Sequence, residues 1–255
     1  MVVVMLHCLC FCQMHQSIDH VLLVSQVHML QLINIMEFWI QNQNKMQQKQ
    51  EFYETARAIV SFTDSYTLNK QGKQNEQPES ESIPSITKIC YSLQFLKNQI
   101  QENNACKQVT QIPKLLQSLS ALVTFRLGIH IDLDVDNQRL KVRSWSRQCL
   151  YQIRCFGDEQ VQSELVNNGY GRVMSISFCT AGGQGEEQDL KISDGLYYIS
   201  VFLIRLYERR TYGQSSFQPL PLLARRSEEQ IEEEGANEEL EASMNEMVQY
   251  HFFYV

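Results

Sequence analysis

The chain has few residues that interrupt helices: 5 Pro and 11 Gly in 255 positions. An all-β design of short strands draws on those two types for its frequent turns, so their scarcity argues against one and favours helix. Clustered Lys and Arg are also missing. Nucleic-acid binding needs such a surface to displace counterions from phosphates, and no basic run occurs anywhere in the sequence. A secretory leader needs a basic start ahead of its apolar block, and residues 1–12 have none. A membrane span needs about 20 apolar residues with few interruptions. Residues 20–40 come nearest, but Gln26, His28, Gln31, Asn34 and Glu37 are scattered through them. A buried or partner-covered helix that caps one end of the body is the expectation there, with a membrane anchor as the less favoured alternative.

Metal and phosphate signatures are absent as well. Cys8, Cys10 and Cys12, with His7, His15 and His20 nearby, carry zinc-ligand chemistry, but structural zinc takes its first ligand pair from C-x₂₋₄-C, so apolar packing is expected instead. Asp132, Asp134 and Asp136 alternate with apolar residues and lack the glycine turn and terminal Glu of a calcium loop. The Gly182-Gly183-Gln184-Gly185 run lacks a following Gly-Lys-Ser/Thr and is trailed by Glu186, Glu187 and Asp189, which would repel an anion. No metal, cofactor or small-molecule substrate is expected.

What the chain does contain is glutamine, 29 of them, and an ordinary 44% of apolar residues, enough for a sizeable core. The net charge of −7 is localised: residues 227–247 hold nine Glu and no Lys or Arg, which leaves the rest of the chain at about +2. Of the eight Cys, five (Cys90, Cys106, Cys149, Cys155 and Cys179) fall within apolar helical patterns, where a free thiol acts as a small core residue. That places the chain in a reducing compartment, the cytoplasm in the first instance and the nucleus as the alternative. Four segments follow: an apolar stretch at 1–40, a Gln-rich helix and polar loop at 41–82, sustained helical periodicity at 83–231, and an acidic tail with an apolar terminus at 232–255.

Helical spacing is clearest from residue 83 onward. Ile86, Ile89, Cys90, Leu93, Leu96 and Ile100 recur in steps of three and four, which puts them on one helix face, with Ser85 as a candidate cap. Asn103-Asn104 breaks that helix. Pro113 suits the first turn of a new one, whose buried face would be Leu115, Leu116, Leu119, Leu122 and Val123. Residues 128–137 alternate strictly, Ile129, Ile131, Leu133 and Val135 against His130, Asp132, Asp134 and Asp136. Taken alone this is a strand pattern, read here as an acidic loop between helical units.

Three segments share one plan. A small residue lies in each leading helix (Cys90, Cys149, Gly195), and a Pro or Gly precedes each later apolar pair (Pro113, Gly169, Pro221). The middle unit carries Glu164-Leu165-Val166-Asn167-Asn168-Gly169 followed by Val173-Met174. This resembles the armadillo repeat, with its "Leu-Val-x-x-Gly" turn and a third helix starting near Pro or Gly, over about residues 83–231. The spacings, 59 residues from Cys90 to Cys149 and 46 from Cys149 to Gly195, exceed a family period of around 42, and residues 128–137 would absorb the first excess. The resemblance implies an all-α, right-handed superhelix of stacked helices acting as a non-catalytic scaffold that binds a protein or peptide in its concave groove. Third helices line such a groove, so it implies Lys114, Gln117, Arg172, Ser175 and Arg225 as partner contacts. The alternative is an enzyme of unknown reaction with Cys149 or Cys155 paired to His130, although no nucleophile here has a legible base.

Overall fold

A computed structural model describes residues 2–71, 82–103, 105–127, 129, 131–179, 189–208, 217–238 and 240–241. Among these the regular structure is α-helical, without a strand. The chain divides into two compact units, residues 1–51 and 52–255. The first helix, α1 (Val2–Gln71), contributes to both. It runs unbroken through the Gln-rich tract at 41–50 and on to residue 71; residues 72–81, within the segment expected to hold a polar loop, lie outside the described ones.

In the first unit the apolar side chains described, those from Met29 onward, are not buried by the chain. Met29, Leu30, Leu32, Ile33, Ile35, Met36, Phe38, Trp39 and Ile40 are all exposed. No helix among the described residues is long and apolar enough to cross a membrane. The side chains of Cys8, Cys10 and Cys12 lie outside the described ones.

The second unit contains the core. From Phe52 onward α1 buries Phe52, Ala56, Ile59, Phe62 and Tyr66, a stripe at helical spacing. Helix α2 (Ile83–Asn103) buries all six residues of its predicted face. It starts earlier than the Ser85 cap suggested: the Ile86 amide already bonds the Ser82 carbonyl at 3.0 Å, and Pro84 occupies the first turn, where its missing N–H costs nothing. Short α3 (Cys106–Gln111) is followed by α4 (Leu115–Val123), which buries Leu115, Leu116, Leu119, Leu122 and Val123. Pro113 sits just outside α4, whose cap is Lys114 in the left-handed region at φ 64°.

The acidic alternation at 128–137 opens a helix. Asp132 is the cap of α5 (Leu133–Phe156): its carboxylate accepts from the Val135 amide at 2.9 Å. Asp134 and Asp136 fall in the first turn, where negative charge meets the positive end of the helix macrodipole, and Asp136 also accepts from the Ile131 amide at 3.3 Å. Capping chemistry overrides a two-residue period too short to build a strand alone. Asp158 does the same for α6 (Glu159–Asn167), accepting from Val161. Gly169, at φ +76°, turns the chain into α7 (Tyr170–Cys179). Then come α8 (Asp189–Tyr207) and α9 (Pro221–Glu233), the latter with Pro221 at its first position.

The helices from α2 onward pack in order along the sequence. Helices α2, α3 and α4 form one group, α5, α6 and α7 a second, α8 and α9 a third. Helix α2 lies on α5, α3 on α6, and α4 on both α5 and α7; α5 and α7 in turn meet α8, and α6 and α7 meet α9. The main contacts thus join each group to the next in sequence, and the middle group is covered on both sides. Buried thiols occupy the first seam. Cys90 points at the Gln138 carbonyl (3.7 Å), Cys149 at that of Leu93 (3.3 Å) and Cys106 at that of Gln152 (3.9 Å), positions where a larger side chain would hold the helices apart.

Four arginines of α5 are also interior: Arg139, Arg143, Arg147 and Arg154. Two of them satisfy backbone carbonyls in the turns that follow α4. Arg143 Nη1 donates to the Phe125 carbonyl at 3.1 Å and Arg139 Nη1 to that of Ile129 at 2.9 Å. Carbonyls in such irregular turns lack the regular donors of a helix, which suits a guanidinium held by burial.

Candidate functional site

A groove of about 610 Å³ opens between α4, the α6–α7 turn and α9. Gln117 reaches it from α4, Asn167, Asn168 and Gly169 from the turn, Arg172 and Val173 from α7, and Arg226, Glu229, Gln230 and Glu233 from α9. The four α9 residues are spaced three, one and three apart, so they share one face.

Two contacts set the separation of α7 and α9. At Gly171 a Cβ would lie 2.8 Å from the Ser227 carbonyl oxygen, so only glycine allows this approach. Gln230 then reaches across, its Nε2 donating to the Val166 carbonyl at 2.8 Å, in the last turn of α6, where that oxygen also accepts from the Gly169 amide at 3.0 Å. Its Oε1 is buried with no partner. At the rim Arg172 is held by two carboxylates, donating through Nη2 to Glu233 and through Nε to Glu234 at 3.1 Å. Arg226 donates to Asn167 Oδ1 at 2.7 Å, and Asn168 Nδ2 to the Glu164 carbonyl at 2.8 Å.

The groove therefore brings together two arginines, two glutamates and four carboxamides. Its lining contains no thiol, hydroxyl or imidazole, and both of its carboxylates are engaged, Glu233 with Arg172 and Glu229 with Arg225. Such a surface can exchange hydrogen bonds with a ligand through groups that both donate and accept.

No family model, no curated protein and no solved structure matches this chain. Functional inference therefore rests on its own residues.

Of the five contacts suggested by the sequence, Gln117 and Arg172 line the groove. Lys114 is exposed but faces Asp64 of α1, with Nζ 3.3 Å from the carboxylate. Arg225 is on α9 and pairs with Glu229 one turn later at 3.4 Å, and it does not line the groove. Ser175 is placed where no partner can touch it: it is fully buried, and its hydroxyl donates to the Gly171 carbonyl at 2.9 Å. The groove residues that sequence reasoning missed are Asn167, Asn168, Arg226 and Gln230. The first two lie inside the Leu165–Gly169 turn, where only the apolar and glycine positions of the resemblance drew notice.

The Cys/His arrangement fares differently at each residue. Cys149 is sealed in the α2–α5 seam, where burial pushes its thiol far above the usual range despite the opposing charge of Lys97. Cys155 is half-buried and accepts from Arg154 Nη1 at 3.2 Å. His130 and the Gly182–Gly185 run lie outside the described residues. Among the described residues no group of three His, Cys, Asp or Glu could hold a metal ion.

Proposed function

We propose that this chain is a non-catalytic scaffold that binds an extended segment of a partner protein in the groove between α4, α7 and α9. In this reading the three helical groups are armadillo-like units stacked as a right-handed superhelix in a cytoplasmic protein, with those helices on the concave side.

The observation that carries the reading is the origin of the lining. Gln117, Asn167 with Asn168, and Gln230 come from three successive groups and converge on one polar trough. A carboxamide presents an N–H donor and a C=O acceptor, the same pair as a peptide unit, so a row of them can pair with an extended main chain whatever its side chains. Gln230 Oε1, buried without a partner, is the acceptor most in want of an N–H. The interspersed charges balance, two arginines against two glutamates, which selects against strongly acidic or basic ligands. A Cys/His enzyme is the weaker reading, because Cys149 has no path to a substrate.

The test is a display selection of unstructured peptides against the full chain, with affinities then measured for Gln117→Ala, Arg226→Ala and the double variant, folding being followed by circular dichroism. Each lost hydrogen bond removes about 0.5–1.5 kcal/mol, so the double variant should bind about tenfold more weakly. Failure to select any peptide, or affinity that ignores both substitutions, would count against the groove.

A further inference from the structure

In the first unit, α1 carries apolar side chains that no described residue covers. Met29, Leu32, Ile33, Met36, Trp39 and Ile40 are each between 46% and 63% exposed. Their steps of three, one, three, three and one place them within about 120° of one helix face. By the same count Gln31, Asn34 and Glu37 lie on the opposite side. Met29, Ile33, Met36 and Ile40 form the centre line, and the next positions along it are Gln26 and Gln43. The apolar seam therefore stops at a carboxamide in both directions.

Size, spacing and charge select the occupant. At those exposures the six side chains leave about 650 Å² in water, so two copies facing each other would remove roughly 1,300 Å², above the about 1,000 Å² that a specific interface has to clear. The centre line advances in steps of four and three, the a and d spacing at which each side chain inserts between four of a facing helix. Leu32 and Trp39, at g positions, widen the seam on one flank. A two-fold axis sets the seam against itself, so its length, its width and its polar ends coincide. Glu37 is the one Asp, Glu, Lys or Arg between residues 29 and 44 and lies away from the seam, so two copies bring no like charges into contact. A bilayer fits worse. From Met29 to Ile40 the helix rises only about 17 Å against about 30 Å of hydrocarbon, and without Lys or Arg in 29–44 an anionic headgroup layer offers no attraction.

We propose that this face of α1 pairs with the same face of a second copy, so that the chain dimerises through residues 29–40. The seam shares no residue with the groove, so the pairing stands or falls independently of peptide binding.

Sedimentation equilibrium of the full chain tests this, in wild type and in Ile33→Glu, Met36→Glu and Gln31→Glu. The wild-type mass should climb from that of one chain toward that of two as concentration rises. Ile33→Glu and Met36→Glu set an unpaired carboxylate in the middle of the seam, and each should raise the dissociation constant about tenfold or more. Both side chains are exposed in the single chain, so neither substitution disturbs its fold, which circular dichroism checks. Gln31→Glu, on the far side, should leave the pairing as it is. Trp39 gives a second readout. In Trp145→Phe it is the sole indole, and its emission should move to the blue over the concentrations at which the mass rises. The mass of one chain at every concentration, pairing that ignores Ile33→Glu and Met36→Glu, or pairing that Gln31→Glu weakens as much would overturn the proposal. So would a single-chain protein that pellets with phosphatidylcholine vesicles, which would give this face to a membrane.

Discussion

Replacing Gly171 by alanine sets a methyl group in the seam between α7 and α9, and two terms of opposite sign decide the outcome. Alanine is the better helix former by about 1 kcal/mol, so a glycine in the middle of an uncrowded helix would become more stable on substitution. Here the new Cβ meets the Ser227 carbonyl oxygen at 2.8 Å and Gln230 Cβ at 3.3 Å. The first is backbone and cannot swing aside, so α9 must move outward by roughly half an ångström to restore ordinary contact, and overpacking of this kind typically costs about 1–3 kcal/mol. Because Gly171 is only the second residue of α7, its propensity gain is below the interior value, and the net expectation is destabilisation by about 0.5–2 kcal/mol, more for Gly171→Val, whose branched side chain adds bulk at the same place. Equilibrium urea unfolding reads this directly, and a thermal midpoint lowered by about 2–4 °C per kcal/mol should accompany it. The same displacement would stretch the Gln230–Val166 bond and alter the groove, so peptide affinity should fall together with stability. A Gly171→Ala protein as stable as wild type, or more so, would refute the close approach of α7 and α9.

Two further perturbations probe other parts of the second unit. Asp158 caps α6 and is 2.8 Å from Lys107, and the hydrogen bond from Lys107, the larger cause, holds its carboxyl below the usual range. A depressed carboxyl contributes stability above its unfolded pKa and loses it as pH falls through the folded value, so that contribution should fade below about pH 4. Asp158→Ala should cost about 1 kcal/mol near neutral pH through loss of the cap, measured by urea titration at both pH values. Cysteine reactivity offers a second check. Cys149 is fully buried and Cys90 has its thiol pushed up to about 11 by burial, so mass-spectrometric mapping after iodoacetamide treatment should find both unmodified in native protein and modified once urea is added. Labelling of Cys149 under native conditions would contradict the α2–α5 seam.

Much of the fold was legible because helix faces follow apolar spacing: the stripes of α2 and α4 are buried residue for residue. The strand-like alternation at 128–137 misled because Asp132, Asp134 and Asp136 have two meanings, polar face of a strand or start of a helix, and only the geometry at the Val135 amide separates them. The buried arginines of α5 were not read at all. Arg139, Arg143 and Arg147 recur every four residues on the face that also carries Val135, Val142 and Cys149, a signal that hydrophobicity conceals because arginine counts as polar. For the site, position on a third helix picked out Gln117 and Arg172, which line the groove, but could not distinguish the groove from the opposite face, so Ser175 was included although it points into the core. Residues such as Gln230 and Asn168 serve through the turn they face, which no single stretch of sequence displays.

The central claim is that each helical group depends on its neighbours to cover its apolar surface, and hydrogen–deuterium exchange resolved by mass spectrometry tests it most directly. In a stack, opening should begin at uncovered ends and reach doubly covered elements last. Amides of α5 and α7, packed between groups on both sides, should therefore exchange most slowly, and those of α9, at one end of the stack, earlier. Uniform protection across all of these helices, or α5 exchanging before α9, would contradict the stacked arrangement and with it the groove that the stacking forms.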